Sequence, residues 1–256
     1  MNEPPAVLTE RRDNVLIITL NRPDARNAIN LAVAQGIADG LDALDADDGL
    51  SVGVLTGAGS GFSAGMDLKA FVTGERPWAG DRGFAGITQR AAAKPLIAAV
   101  EGYALAGGFE IALSCDLIVA ARDARFGIPE VKRGLVAAAG GLFRLPQRIP
   151  YHLAMELALT GDPIGAERAA EIGIVNRVVD PGTALDAARE LAGQIVRNAP
   201  LALAASKTVV QRAREWDEAE AWDKQGEIAG GVFGSEDAQE GAKAFAEKRD
   251  PEWKGR

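Results

Sequence analysis

The chain has 256 residues, 47% hydrophobic and 25% charged, enough to bury a sizeable core as an ordinary globular protein. Its net charge of −8 argues against sequence-independent binding to nucleic acid or anionic lipid. A single cysteine, Cys115, excludes an internal disulfide and fits a reducing compartment. Residues 1–5 lack the basic and apolar regions of a signal peptide, and no apolar run of about 18 residues occurs. A cytoplasmic location without membrane contact is expected.

Residues 15–20 form a β-branched run that stops at Asn21-Arg22-Pro23, the pattern of a strand closed by a turn. Asn30 then caps a predicted helix with Val33, Ile37, Leu41 and Leu44 on one face. A buried strand at 52–56 leads into the glycine turn 57–61. The cadence recurs at 95–100, followed by Gly102 and a Gly107-Gly108 turn into a helix reaching about Leu113. It recurs again at 117–121, before a turn at Pro129-Glu130. Short apolar strands alternating with glycine turns and helices predict an α/β architecture. Residues 73–86, with Pro77, Trp78 and several glycines, read as a mobile loop bordering a binding site. Beyond about Gly173 the pattern turns helical, with amphipathic stretches at 184–196, 201–214, 218–228 and 236–248. The predicted division is a core at 1–195 and a helical region at 196–256, which must pack on the body or on a neighbouring subunit.

The chemistry narrows by elimination. Gly57-Ala58-Gly59-Ser60-Gly61-Phe62 fails the dinucleotide fingerprint at its sixth position, and no phosphate-binding G-x-x-x-x-G-K-[ST] loop is present. His152 is the only histidine, so a Ser-His-Asp or Cys-His engine is nearly excluded, as are His- and Cys-rich metal sites. Carboxylates and backbone must carry any catalysis. Glu110 stands in an otherwise uncharged run, 104–113, where burial of a lone carboxylate is costly unless it is partnered or protonated. Glu130 follows Phe126-Gly127-Ile128-Pro129 and reads equally well as a helix-start or as a functional residue. Two glycine turns entering helices leave backbone N–H groups for a developing negative oxygen.

These residues resemble the crotonase superfamily, the enoyl-CoA hydratase/isomerase family. The matching segments are 20–28 (LNRPDARNA), 61–68 (GFSAGMDL), 102–110 (GYALAGGFE), 115–117 (CDL), 126–130 (FGIPE) and 247–249 (EKR). They occur in family order and span nearly the whole chain. The resemblance implies a spiral of ββα units, a helical C-terminal trimerisation region, and a homotrimer or dimer of trimers. It further implies that the N–H groups of Met66 and Gly107 bind the thioester carbonyl of an acyl-CoA. Glu110 and Glu130 match the glutamate pair with which hydratases add or remove water. Arg22, Ala25, Arg26, Ala64, Gly65, Asp67, Leu68, Gly108 and Lys248 fall where relatives contact the CoA ester. No separate cofactor is implied, because coenzyme A enters with the substrate. Ala106 replaces the usual third glycine of the turn, and Ala137 stands where proline is common.

The expected reaction is reversible hydration of a 2-enoyl-CoA to a 3-hydroxyacyl-CoA. A Δ3-Δ2 enoyl-CoA isomerase needs only one carboxylate and is the runner-up. The C-terminal stretch 235–256 is similar to the tail of carnitinyl-CoA dehydratases, a third reading. A non-catalytic CoA-ester or RNA-binding scaffold is disfavoured by the acidic balance and by both glutamates being present. Acyl length depends on how Phe71, Trp78 and Phe84 fold over the pocket.

Overall fold

The computed structural model describes residues 4–256, so most of the N-terminal stretch 1–5 lies outside it. Six strands form one large sheet in the order β1 (Val7–Arg12), β2 (Val15–Leu20), β3 (Val52–Gly57), β4 (Leu96–Val100), β6 (Leu117–Ala121) and β9 (Arg177–Val179). Only β1 runs antiparallel; every later neighbour is parallel, with Val15 opposite Val52 and Gly53 opposite Leu96. Strands covered on both faces read as continuous apolar runs, which explains the lack of alternation in β2, β3 and β4. One face, through Val15, Val52, Val54, Ile97 and Val119, packs on Ala188 and Ala192 of α7 (Ala184–Val196). The other face joins the main core, where Val33, Ile37, Leu41 and Leu44 of α1 (Leu31–Ala46) are fully buried. Asn30 caps α1 by accepting the Val33 amide at 3.0 Å, as its side chain and spacing predict.

A second sheet of three short strands, β5 (Tyr103–Leu105), β7 (Arg125–Gly127) and β8 (Ile164–Gly165), stands beside the first. After a long strand in the large sheet the chain turns into this small one and then into a helix. The turn at Gly102 requires glycine: its φ is +55°, and a Cβ would lie 2.1 Å from the Ser60 carbonyl oxygen. Ser63 bridges in parallel to Ala104, and Ala104 pairs with Phe126. Three successive turns of the chain are thereby stacked in register. This is the predicted ββα spiral.

The C-terminal helices are α8 (Pro200–Arg212), α9 (Glu218–Phe233) and α10 (Glu236–Glu247). Lys207 of α8 ties them to the body through an ion pair with Asp116 at 2.7 Å and a bond to the Lys94 carbonyl at 2.8 Å. Trp222, Phe233 and Phe245 stay largely exposed on this arm. No helix among the described residues is long and apolar enough to cross a membrane.

Residues 73–86 depart from the mobile loop expected of their composition. Arg82 is buried and donates to Asp42 Oδ1 at 3.1 and 2.6 Å and to the carbonyls of Arg90 and Ala91. Gly86 presses on α1 so closely that a Cβ would lie 2.2 Å from the Ala34 oxygen. The segment is a strapped wall carrying Phe84 into the core.

Candidate active site

The register of the small sheet decides which loops meet. Met66 follows Ser63 by three residues, Gly107 follows Ala104 by three, and Glu130 follows Phe126 by four, so all three emerge at the same end of stacked turns. Contact between the first two loops is tight. A Cβ on Gly65 would stand 2.8 Å from Ala106 Cβ and 2.9 Å from the Gly107 nitrogen; one on Gly108 would stand 2.3 Å from the Ser63 oxygen. Gly65 and Gly108 are thus explained by backbone approach. Among the described residues, neither the Met66 nor the Gly107 N–H has an acceptor within the chain. Two such donors on touching loops suit an oxygen that gains negative charge.

Gly107 opens the short helix α3 (Gly107–Ala112), whose residues are all buried. This puts Glu110, one turn in, inside the protein at 3% exposure. Its Oε1 accepts the amides of Ala139 at 2.8 Å and Gly141 at 2.9 Å, the latter opening α4 (Gly141–Arg148). Burial pushes the Glu110 carboxyl above its ordinary range, while these two amides and the Arg144 guanidinium pull the other way. None of these three partners is pointed to by the sequence reading.

Glu130 lies in the 3-10 turn Pro129–Arg133. Its Oε2 is buried without a hydrogen-bond partner. Burial, with a further contribution from the Glu110 charge, raises its carboxyl to about 7, only partly opposed by a backbone bond and Arg133. Glu130 faces a cavity of about 390 Å³, otherwise lined by apolar groups such as Ile128, Ala137, Leu142, Leu145 and Met155, with Tyr151 at its edge. Two carboxyls in such different surroundings, one bonded to amides and one unpartnered in an apolar pocket, are the arrangement that acid–base chemistry uses.

The enoyl-CoA hydratase/isomerase family profile matches residues 10–256. The chain belongs to that family. It is 60% identical to an enoyl-CoA hydratase from Mycobacterium tuberculosis H37Rv, whose crystal structure superposes with a TM-score of 0.97 over 99% of this chain and 100% of that one. A carnitinyl-CoA hydratase from Mycobacterium avium is 46% identical, with a TM-score of 0.80 over 99% of this chain and 100% of that one. The carnitinyl-CoA dehydratase of Escherichia coli K12 is 47% identical over 254 residues, 96% of this chain and 97% of that protein.

The remaining positions suggested by the family resemblance divide in two. Arg22 turns inward, its Nη1 donating to the Ala28 carbonyl at 2.6 Å and to Asp67 at 2.9 Å, so it braces the turn. Asp67 caps α2 (Leu68–Val72) through the amides of Lys69 and Ala70; these bonds and Arg22 outweigh burial and keep its carboxyl below the ordinary range. Arg26 is exposed in the same turn, next to half-buried Ala25, and its carbonyl receives the Ala64 amide at 3.1 Å. Leu68 opens α2 with its side chain 42% exposed. Lys248 lies in the left-handed cap of α10, exposed and without a side-chain partner among the described residues. The sequence reading gave Asn27 no role of its own, yet it is buried and clamps the carbonyls of Ala58 and Gly61. Phe84, expected over the pocket, packs on Gly107.

Proposed function

We propose that the protein is an enoyl-CoA hydratase acting on neutral acyl chains, with Met66 and Gly107 as oxyanion donors and Glu110 and Glu130 as the acid–base pair. The observation that carries the reading is the contrast between amide-held Glu110 and Glu130, which feels the Glu110 charge and stands unpartnered at an apolar cavity. In the hydration direction the water oxygen bonds to the β-carbon as Glu110 takes its proton. The thioester oxygen gains negative charge, which the two N–H groups stabilise; each such donor is worth roughly 3–4 kcal/mol of barrier. Protonated Glu130 then delivers its proton to the α-carbon as the enolate collapses. Exchange with solvent restores the starting protonation of both carboxyls. The CoA ester is the substrate and no resident cofactor enters; among the described residues no cluster of acidic, His or Cys side chains is arranged to hold a metal.

The relatives named for carnitinyl-CoA favour a second reading, dehydration of a betaine ester. A buried trimethylammonium needs aromatic faces or a counter-charge. The cavity offers Tyr151 as its aromatic and Glu130 as its acid, and Glu130 is already committed to proton transfer. A hydrocarbon tail suits these walls better. Exposed Arg26 and Lys248 are the cations we assign to the CoA phosphates. The exposed Trp222, Phe233 and Phe245 support a homotrimer or dimer of trimers, and the single buried Cys115 supports a cytoplasmic location. Hydration of crotonyl-CoA, followed by loss of the conjugated absorbance, should proceed faster than turnover of crotonobetainyl-CoA. Glu110→Gln and Glu130→Gln should each lower turnover by orders of magnitude at nearly unchanged KM. Full activity in either variant would sink the two-carboxylate scheme.

A further inference from the structure

Arg144 enters none of the steps above, yet its contacts connect separate parts of the site. It lies half-buried in the first turn of α4. Nη1 donates to the Ala139 carbonyl at 3.2 Å, and Nη2 donates to the Thr88 carbonyl at 2.5 Å. The Ala139 amide in turn donates to Glu110 Oε1 at 2.8 Å. Thr88 directly follows the strapped segment and donates its amide at 3.2 Å to the carbonyl of Phe84, the residue held against Gly107. Gly140, at φ +109°, makes room for the guanidinium, because a Cβ there would sit 2.0 Å from Arg144 Nη1.

We propose that Arg144 is a positioning residue: its planar fork fixes Glu110 through Ala139 and joins that loop, through Thr88, to the wall beside Gly107. A lysine would present a point charge without the rigid fork. The inference rests on the hydratase reading, since it assigns Arg144 to the orientation of that reaction's base.

The charge of Arg144 gives the proposal a readout that a purely structural role would leave unmoved. Glu110 is faced by Arg144 from α4 and by Glu130, itself beside Arg133, from the 3-10 turn. The other ionisable neighbours of Arg144 are Cys115, whose thiol is pushed up by burial and stays neutral, and Arg148 on the same helix, a like charge that opposes it. Removing the guanidinium therefore leaves Glu110 without its cation, and Glu110 must hold its proton to higher pH.

The test measures kcat, KM and the pH profile of crotonyl-CoA hydration for the full-length protein, Arg144→Gln and Arg144→Lys. Arg144→Gln should lose roughly 10- to 100-fold in kcat, the scale of a misplaced catalytic group. Its KM should change little, and the acid limb of kcat/KM should move to higher pH. Arg144→Lys should keep the acid limb in place while kcat still falls. An Arg144→Gln enzyme within about twofold of the parent kcat overturns the proposal, as does a lost kcat with an unmoved acid limb. Should Arg144→Gln fail to fold, Arg144→Lys decides: parental kcat refutes the role of the fork. If the parent enzyme turns over no enoyl-CoA, the hydratase reading itself has failed, a result separable from any effect of Arg144.

Discussion

Gly107 offers a direct test of the paired oxyanion donors, because the side chain beside it has nowhere to go. A Cβ added there would lie 2.6 Å from Cζ and 2.7 Å from Cε1 of Phe84. Non-bonded carbons settle at about 3.5–4.0 Å, so in Gly107→Ala the ring and the backbone must part by about 1 Å. Phe84 is only 4% exposed and stands edge-on to Trp78, with ring centroids 5.4 Å apart. Part of the displacement therefore falls on the Gly107 N–H. Gly107 is not among the positive-φ residues, so alanine adds no backbone strain of its own. A misplacement of this size costs on the order of 10²-fold in rate, close to the roughly 2.7–4 kcal/mol of a lost oxyanion donor. Overpacking adds about 1–3 kcal/mol of destabilisation. Enoyl-thioester absorbance gives kcat and KM, and a thermal melt gives Tm. Phe84→Leu should cost little alone and should recover most of the kcat lost in Gly107→Ala. Parental kcat in Gly107→Ala would refute the donor assignment; a loss that Phe84→Leu fails to recover would refute the steric account.

Two further outcomes follow from Glu130 and Ala106. Glu130 titrates at about 7 in the folded protein, above its ordinary 4.5, so kcat/KM for hydration should decline above about pH 7 as the acid loses its proton. The same raised value means that the folded state holds this proton longer than the unfolded chain, and its contribution to stability is lost as pH rises from about 4.5 to about 7. Glu130→Gln should accordingly raise Tm at pH 8 but not at pH 4; an equal change at both would deny the buried charge. Ala106 sits at φ 51°, ψ −129°, a conformation glycine adopts freely. Strain of about 1–3 kcal/mol is relieved in Ala106→Gly, offset by about 0.4–1 kcal/mol of extra unfolded-state freedom. A net gain near 1 kcal/mol should lift Tm by about 2–4 °C. An unchanged or lower Tm would mean that the backbone at Ala106 is relaxed.

Much of this molecule is local, and what is local was legible in the sequence. The apolar runs at 15–20, 52–56 and 117–121 are strands because their side chains are buried on both faces, and Asn30 starts α1 because its side chain reaches an amide three residues on. Absence of histidine and cysteine partners left only carboxylates and backbone for chemistry, and the two glycine turns marked where that backbone lies. Composition misread 73–86, because the burial of Arg82 depends on Asp42, 40 residues away on another element. Arg22 shows the same dependence: its ion pair with Asp67 joins two turns that only folding brings together. Glu110 finds its amides at Ala139 and Gly141, about thirty residues on, where no spacing rule could point. The sequence by itself thus determined the strands, the glycine turns and the carboxylates. Only the tertiary structure decided that Ser63, Ala104 and Phe126 share a register. That register brings the two unpartnered N–H groups and the two glutamates to one place, because pairing between distant strands is set by packing and not by neighbouring residues.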